Sequence, residues 1–323
     1  MTAEDYSGRV DELFERQLRD WDTVRDNYAA LDGACLRTLE LDDALIVLQH
    51  NPERRRSAAA RLDDTSQPCF LCRDGQPAEQ EAIVWADRYK IQVNPYPIFP
   101  RHLTIASLDH VAQSLASPTR IADMLALARA LPQYVVFYNG ADCGASAPHH
   151  FHFQAGIKGL MPLCDEVCDP VMWPYESHLE GNSTGFVGCT RCQGRLLFYI
   201  HTNNEPQAAI YFARLYIAML GVNEHGREPS LNLLCWVDGD DYHLLLVPRA
   251  KHRPACFGTG RGKLLVSPAS VEMGGLWALP VQDDYDTLTA QQVSDIYNEV
   301  CIDNATAVAI IDHFLTTEKT LPL

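Results

Sequence analysis

Pro148-His149-His150-Phe151-His152-Phe153-Gln154 is the stretch from which the rest of this chain can be read. In an extended strand, side chains alternate between the two faces. His150, His152 and Gln154 therefore project from one side, and Phe151, Phe153 and Ala155 from the other. The aromatic side packs into a core, while the opposite side lines up two imidazoles and a carboxamide. Such a row presents a nitrogen nucleophile, with hydrogen-bond donors beside it, to a phosphorus centre. A purely structural role would require separate buried partners for three polar groups on one strand face. The preceding loop, Asn139-Gly140-Ala141-Asp142-Cys143-Gly144-Ala145-Ser146, is built of small residues. Gly140, Gly144 and Ser146 there let backbone N–H groups and a hydroxyl approach phosphate oxygens closely.

Composition narrows the setting. A chain of 323 residues with 47% hydrophobic content buries a large core, as one extended domain or two related ones. A net charge of −16 argues against nucleic-acid or anionic-membrane binding, so any phosphate site must be a local basic pocket in an acidic body. The start, Met1-Thr2-Ala3-Glu4-Asp5, reads as no secretory signal, and the best apolar run, Ala208 to Val222, is interrupted by Arg214. Eleven cysteines in such a chain read as thiols and metal ligands in a reducing cytoplasm.

Helical spacing of Val10, Leu13, Phe14, Leu18, Trp21, Val24 and Tyr28 predicts one amphipathic helix over residues 5–30. Strands are expected at 44–49, 82–94, 101–107 and 134–138, with a helix near 119–131. Residues 161–195, rich in proline and cysteine, read as an irregular insert between a first half (1–160) and a second half (196–323). The second half is expected to run strand (196–201), helix (205–220), paired strands (231–237 and 242–247), strands near 264 and 276, and a helix near 288–301. The stretch from Arg101-His102-Leu103 to His110 matches the one from Tyr242-His243-Leu244 to His252, which suggests an internal duplication. Coincidence of two short strands is the plainer alternative.

Cys69-Phe70-Leu71-Cys72 has the spacing at which two thiolates hold one tetrahedral zinc. His110 and His150 are the natural completing ligands; free cysteines or a redox pair are the alternatives. Cys189-Thr190-Arg191-Cys192, with Cys164 and Cys168, reads as a second, four-sulfur site. Arg54, Arg55 and Arg56 are cations that suit a polyphosphate, although such runs are usually solvated.

Together these residues resemble the histidine-triad superfamily, in its transferase branch of galactose-1-phosphate uridylyltransferase, diadenosine tetraphosphate phosphorylase and the GDP-hexose phosphorylases. His150-Phe151-His152-Phe153-Gln154-Ala155 is most similar to the GDP-hexose phosphorylases. Gly144-Ala145-Ser146-Ala147-Pro148-His149 resembles the G-x-S-x-P-H approach of the uridylyltransferases, with one extra residue that makes His149 a rival to His150. Asn51-Pro52-Glu53-Arg54 resembles their early phosphate contact, and Val93-Asn94 their nucleoside-contacting asparagine. Cys69 through His102 to His110 is similar to the superfamily's C-x-x-C, strands, P-x-H-L turn and later histidine. Val271-Glu272-Met273 resembles a sugar-contacting segment, although its spacing from Lys263 departs from the pattern.

The resemblance implies an α+β fold of two histidine-triad-like halves, each an antiparallel sheet with packed helices, only the first catalytic. It implies zinc on Cys69, Cys72, His110 and His150, and catalysis by His152, Gln154 and Ser146. Arg54, Asn94, His102, Asn139, Gly144, Lys263 and Glu272 would bind substrate. The implied activity is nucleotidyl transfer from a UDP- or GDP-hexose through a nucleotidyl-histidine, with phosphate or a sugar phosphate as second substrate. A dinucleoside polyphosphate phosphorylase, a nucleotidyl hydrolase and a non-catalytic zinc-containing nucleotide-binding protein are the competing readings. Relatives that pair through sheet edges leave both monomer and homodimer open.

Overall fold

The structure is a computed structural model that describes residues 5–42, 44–52, 68–223 and 228–317. Strands β1 (Leu36–Leu41), β2 (Ala44–His50) and β13 (Leu276–Leu279) form a small sheet in the order β1-β2-β13. The remaining strands are β3 (Ile83–Trp85), β4 (Tyr89–Val93), β5 (His102–Ser107), β6 (Tyr134–Asn139), β7 (His152–Ile157), β8 (His178–Asn182), β9 (Gly185–Cys192), β10 (Arg195–Thr202), β11 (Leu231–Asp238) and β12 (Asp241–Pro248). They make one antiparallel sheet in the order β3-β4-β5-β7-β6-β11-β12-β10-β9-β8. The fold is α+β.

That order reads the same from either edge. Counting inward, β3, β4, β5, β7 and β6 correspond to β8, β9, β10, β12 and β11, and the halves meet at the antiparallel β6–β11 pair. A helix, Pro118–Ala130 in the first half and Glu205–Val222 in the second, links the third strand of each half (β5, β10) to its innermost strand (β6, β11). Topology therefore supports an internal duplication but corrects its register. The strand of His243 corresponds to β7, the histidine strand, and the partner of β5 is β10 rather than β12. The expected insert changes too. Residues 178–192 supply β8 and β9, whose eight-residue ladder with β10 completes the second half.

Each face of the large sheet is covered differently. Helices α1 (Tyr6–Asp20) and α2 (Asp22–Asp32) pack with the two crossover helices on the face of Phe151, Phe153, Leu244 and Leu246. The other face carries Val135, Phe137, Leu234, Trp236 and Leu245, and is roofed by β1, β2, β13 and the helix Ala290–Val300. The single helix expected over 5–30 is broken at Trp21, whose φ of −127° and ψ of 102° are extended. Its indole sinks into the core, and the break turns the second helix so that Asn27 and Tyr28 donate to the carbonyls of Pro95 and His102. The strand expected over 82–94 is a hairpin, turned at Ala86 and Asp87 with φ near 50°. Among the described residues no helix is long and apolar enough to cross a membrane.

Candidate active site

The roofed face of the first half carries a polar stripe across three adjacent strands. Tyr89, Ile91, Val93, Leu103, Ile105, Phe151 and Phe153 point into the helical core. Alternation then leaves Lys90 and Gln92 on β4, His102 and Thr104 on β5, and His152 and Gln154 on β7 on the opposite face. Register sets Gln154 across from Thr104 and His152 across from Ala106.

His152 is only 2% exposed. Its Nδ1 lies 2.9 Å from the carbonyl of His150, to which it can only donate, so the proton sits on Nδ1 and the lone pair on Nε2. Nε2 is buried and has no hydrogen-bond partner among the described residues. Burial lowers the pKa of this imidazole to about 4, outweighing the hydrogen bond to the His150 carbonyl, so the ring is neutral near pH 7. A neutral imidazole with an unengaged lone pair is a nucleophile.

The backbone of His152 is held by Gln113, which no sequence pattern singled out. Gln113 accepts from the His152 N–H at 2.8 Å and donates to the His152 and Asn139 carbonyls at 3.0 and 2.9 Å. A second relay orients Gln154. The Ile98 N–H donates to His102 Nδ1 at 3.2 Å, which leaves the ring proton on Nε2 to donate to Gln154 Oε1 at 3.0 Å. With its oxygen thus assigned, the Gln154 carboxamide presents its NH2 group away from His102. Further along the stripe, Lys90 donates to Gln76 Oε1 and Gln76 donates to Gln92 Oε1. The alternation Tyr89-Lys90-Ile91-Gln92-Val93 carried that signal in the sequence.

Beside this stripe, Cys69, Cys72, His110 and His150 bring one donor atom each within 4.8 Å of one another. Sγ–Nδ1 separations are 3.1 Å for Cys72–His110 and 3.4 Å from His150 to either cysteine. A zinc tetrahedron with bonds of about 2.3 Å to sulfur and about 2.0 Å to nitrogen has a sulfur–nitrogen edge of about 3.5 Å. The donor set therefore fits the ion. His150 Nε2 donates to the Ser107 carbonyl at 2.8 Å, the outer hydrogen bond that fixes a metal-ligating imidazole. Burial also lowers the pKa of His150, favouring the neutral form that a metal requires. His149 is exposed and stands outside the cluster.

Other expected residues have other surroundings. Asn94 donates to Thr104 Oγ1 and accepts from the Tyr96 N–H, at the edge of the stripe. Asn139 lies beneath the site, its Oδ1 accepting from Asn232 and from the Ser270 N–H. Gly144 has φ of +100°, and a Cβ there would sit 2.6 Å from the Ala269 Cβ, so its first requirement is close packing of this chain on itself. Ser146 is exposed, and Arg54 lies outside the described residues. Glu272 caps its own helix by accepting from the Ala269 N–H. Lys263 is not gathered with His152. Its Nζ donates to the Ala255 carbonyl, and it lines a separate cleft of about 720 Å³ with Arg261, Asp283, Asp295 and Glu299.

The second four-sulfur site does not form. Cys189 packs against the helical core and Cys192 against the roofed one, because residues three apart on a strand face opposite ways. Cys164 is buried, and Cys168 instead approaches Asp238 and His243.

Among solved structures, yeast Ap4A phosphorylase Apa2 in complex with Ap4A superposes with a TM-score of 0.63. The match covers 94% of this chain and 99% of that one at 15% identity. Apa2 without that ligand gives 0.59 at 16% identity, over 87% and 96% of the two chains. The chain shares its fold with yeast Ap4A phosphorylase Apa2. A family model described as "Domain of unknown function (DUF4922)" matches residues 13–157, from the first helix through the histidine strand. No curated protein matches the sequence.

Proposed function

We propose that this chain is a nucleotidyltransferase or phosphorylase that works through a nucleotidyl-histidine on His152. The observation that carries the reading is the buried Nε2 lone pair of a neutral imidazole, with the Gln154 carboxamide next but one along the strand. Nε2 attacks the α-phosphorus of a nucleotide donor, and the P–O bond to the leaving phosphate breaks. The imidazolium then formed is stabilised by its Nδ1–H donating to the His150 carbonyl. The Gln154 NH2 donates to a non-bridging oxygen as negative charge builds on five-coordinate phosphorus. In the return step an acceptor oxygen attacks the same phosphorus and the electron pair of the N–P bond goes back to Nε2. Zinc, when bound by Cys69, Cys72, His110 and His150, supplies the cross-link that fixes the start of the histidine strand.

The donor we infer is a nucleoside-diphosphate hexose, by resemblance of the His150–Ala155 motif to GDP-hexose phosphorylases. The likeness to an Ap4A phosphorylase over nearly the whole of both chains favours a second reading, a dinucleoside polyphosphate donor. Intact-protein mass spectrometry after brief mixing with UDP-, GDP- and ADP-glucose and diadenosine tetraphosphate, without acceptor, separates them. One acid-labile nucleotidyl adduct supports the mechanism and names the base. No adduct and no turnover with any of the four would reject it.

A further inference from the structure

Residues 111–116 form neither helix nor strand, yet Gln113 in their midst holds the backbone of His152. Without a ladder of its own, such a segment takes its place from the groups that tie it down. Near its start, the Val111 carbonyl accepts from the Phe151 N–H at 2.7 Å, and the Gln113 N–H donates to the Pro148 carbonyl at 3.3 Å. Just past Gln113, the tie comes from the other half of the molecule. Glu228, shortly before β11, accepts at Oε1 from the Leu115 N–H and also takes the hydroxyl of Ser114.

Glu228 is itself clamped. Tyr138 on β6 donates to Oε2 at 2.6 Å, and Tyr216 on the helix Glu205–Val222 donates to Oε1 at 3.2 Å. Burial, with the nearby carboxylate adding to it, raises the pKa of both phenols and keeps them as donors. Four donors thus meet the four lone-pair positions of one carboxylate, and no cation pairs with it among the described residues. An amide in that place would accept at one oxygen only and turn its own NH2 toward a donor. Tyr138 also stacks on Phe151 at 5.9 Å and precedes Asn139, whose carbonyl accepts from Gln113. Glu228 therefore joins the segment of Gln113 to the same strand that Gln113 grips.

We propose that Glu228 is a positioning residue for His152. By pinning Ser114 and Leu115 to β6 it sets Gln113, and through Gln113 the backbone of the nucleophile. The half that carries the histidine motif is then incomplete without the half that lacks it. The part played in the reaction rests on the nucleotidyl-transfer reading, whereas the mechanical link does not.

The link is read by hydrogen–deuterium exchange of the full chain, resolved to the His152 amide that donates to Gln113. Glu228→Gln should speed exchange of that amide at least about tenfold, with Leu244 to Leu246 of β12 unchanged. Glu228→Asp, which keeps the charge, should restore part of the protection. Unchanged protection at His152, or equal loss at β12, overturns the proposal. Should Glu228→Gln not fold, Tyr216→Phe, which removes one clamp of the carboxylate, must speed the same amide at least about threefold. No change there overturns it.

The effect on chemistry is read with whichever of the four donors reacts. In Glu228→Gln the maximal rate of adduct formation should fall at least about tenfold, with the half-saturating donor concentration unchanged within about threefold. Because the effect passes through Gln113, adding Glu228→Gln to Gln113→Leu should slow labelling no more than about threefold further. A full rate at saturating donor, or effects that multiply in the double variant, overturns the proposal. Should no donor give an adduct, the functional reading fails on its own account, and exchange of the His152 amide decides the link.

Discussion

β7 and β12 occupy matching places in the two halves of the sheet, and each turns one buried histidine toward the roofed face. Among the described residues, His152 and His243 both leave Nε2 without a hydrogen-bond partner, and burial brings both pKa values down to about 4. Their neighbours across the strands differ. His152 stands opposite Ala106, the smallest side chain in that row. His243 stands opposite His201 on one side and Trp236 on the other, and stacks on both at 5.0 Å. Tyr199 closes its Nδ1 at 2.6 Å. Further along the strand, β7 continues its polar face with Gln154, where β12 has Leu245 and Val247. A buried lone pair is therefore insufficient. What separates the proposed nucleophile from the packed ring is a small cross-strand neighbour and the Gln154 carboxamide on the same face.

The sharpest way to break this contrast is to remove each ring in turn. His152→Ala should abolish adduct formation, by at least about a thousandfold, with an unchanged far-ultraviolet spectrum. His243→Ala should leave labelling largely intact while costing about 2–4 kcal/mol in denaturant unfolding. Persistent labelling of His152→Ala, or its loss in His243→Ala, would reverse the roles assigned to the two strands.

Support for the two strands can be attacked next. Cys72→Ser should lower zinc content measured by atomic absorption and cost at least about 2 kcal/mol. Unchanged metal content would remove zinc from that cluster. Gln113→Leu leaves the His152 N–H and two carbonyls unsatisfied, which should cost about 1–3 kcal/mol. Misplacement of the ring should also slow labelling by about 10–100-fold.

The smallest expected effect concerns pH. His243 titrates near its ordinary value of 6.5 when unfolded and near 4 when folded, so the unfolded chain binds more protons between those limits. The contribution of neutral burial is complete above pH 6.5 and is lost as pH falls toward 4. His243→Phe, which keeps the stack without the titrating nitrogens, should flatten that part of the stability–pH curve. An unaltered slope would place the pH dependence elsewhere.

Much of this architecture is legible along the chain. Alternation within His150–Gln154 assigns the polar and apolar faces of β7, since the period of a strand is fixed by the backbone. C-x-x-C spacing marks two ligands of one cluster, because thiolates so placed can share an ion. What misled were features that depend on partners distant in sequence. Residues 178–192, at the end of the Cys/Pro-rich stretch 161–195, lack a plain alternating pattern and become strand only because β10 offers its edge. Local likeness pairs His243 with His102, whereas sheet order puts His243 in the place that matches the histidine strand.

Backbone period and side-chain chemistry, read along the chain, fix the faces of the histidine strand, mark the cysteine pair and set out a row of groups suited to phosphorus. Tertiary contacts settle which histidine joins the cysteines and which imidazole stands across from a small neighbour. These depend on strand register and on distant partners such as the Ser107 carbonyl, which residue spacing does not encode.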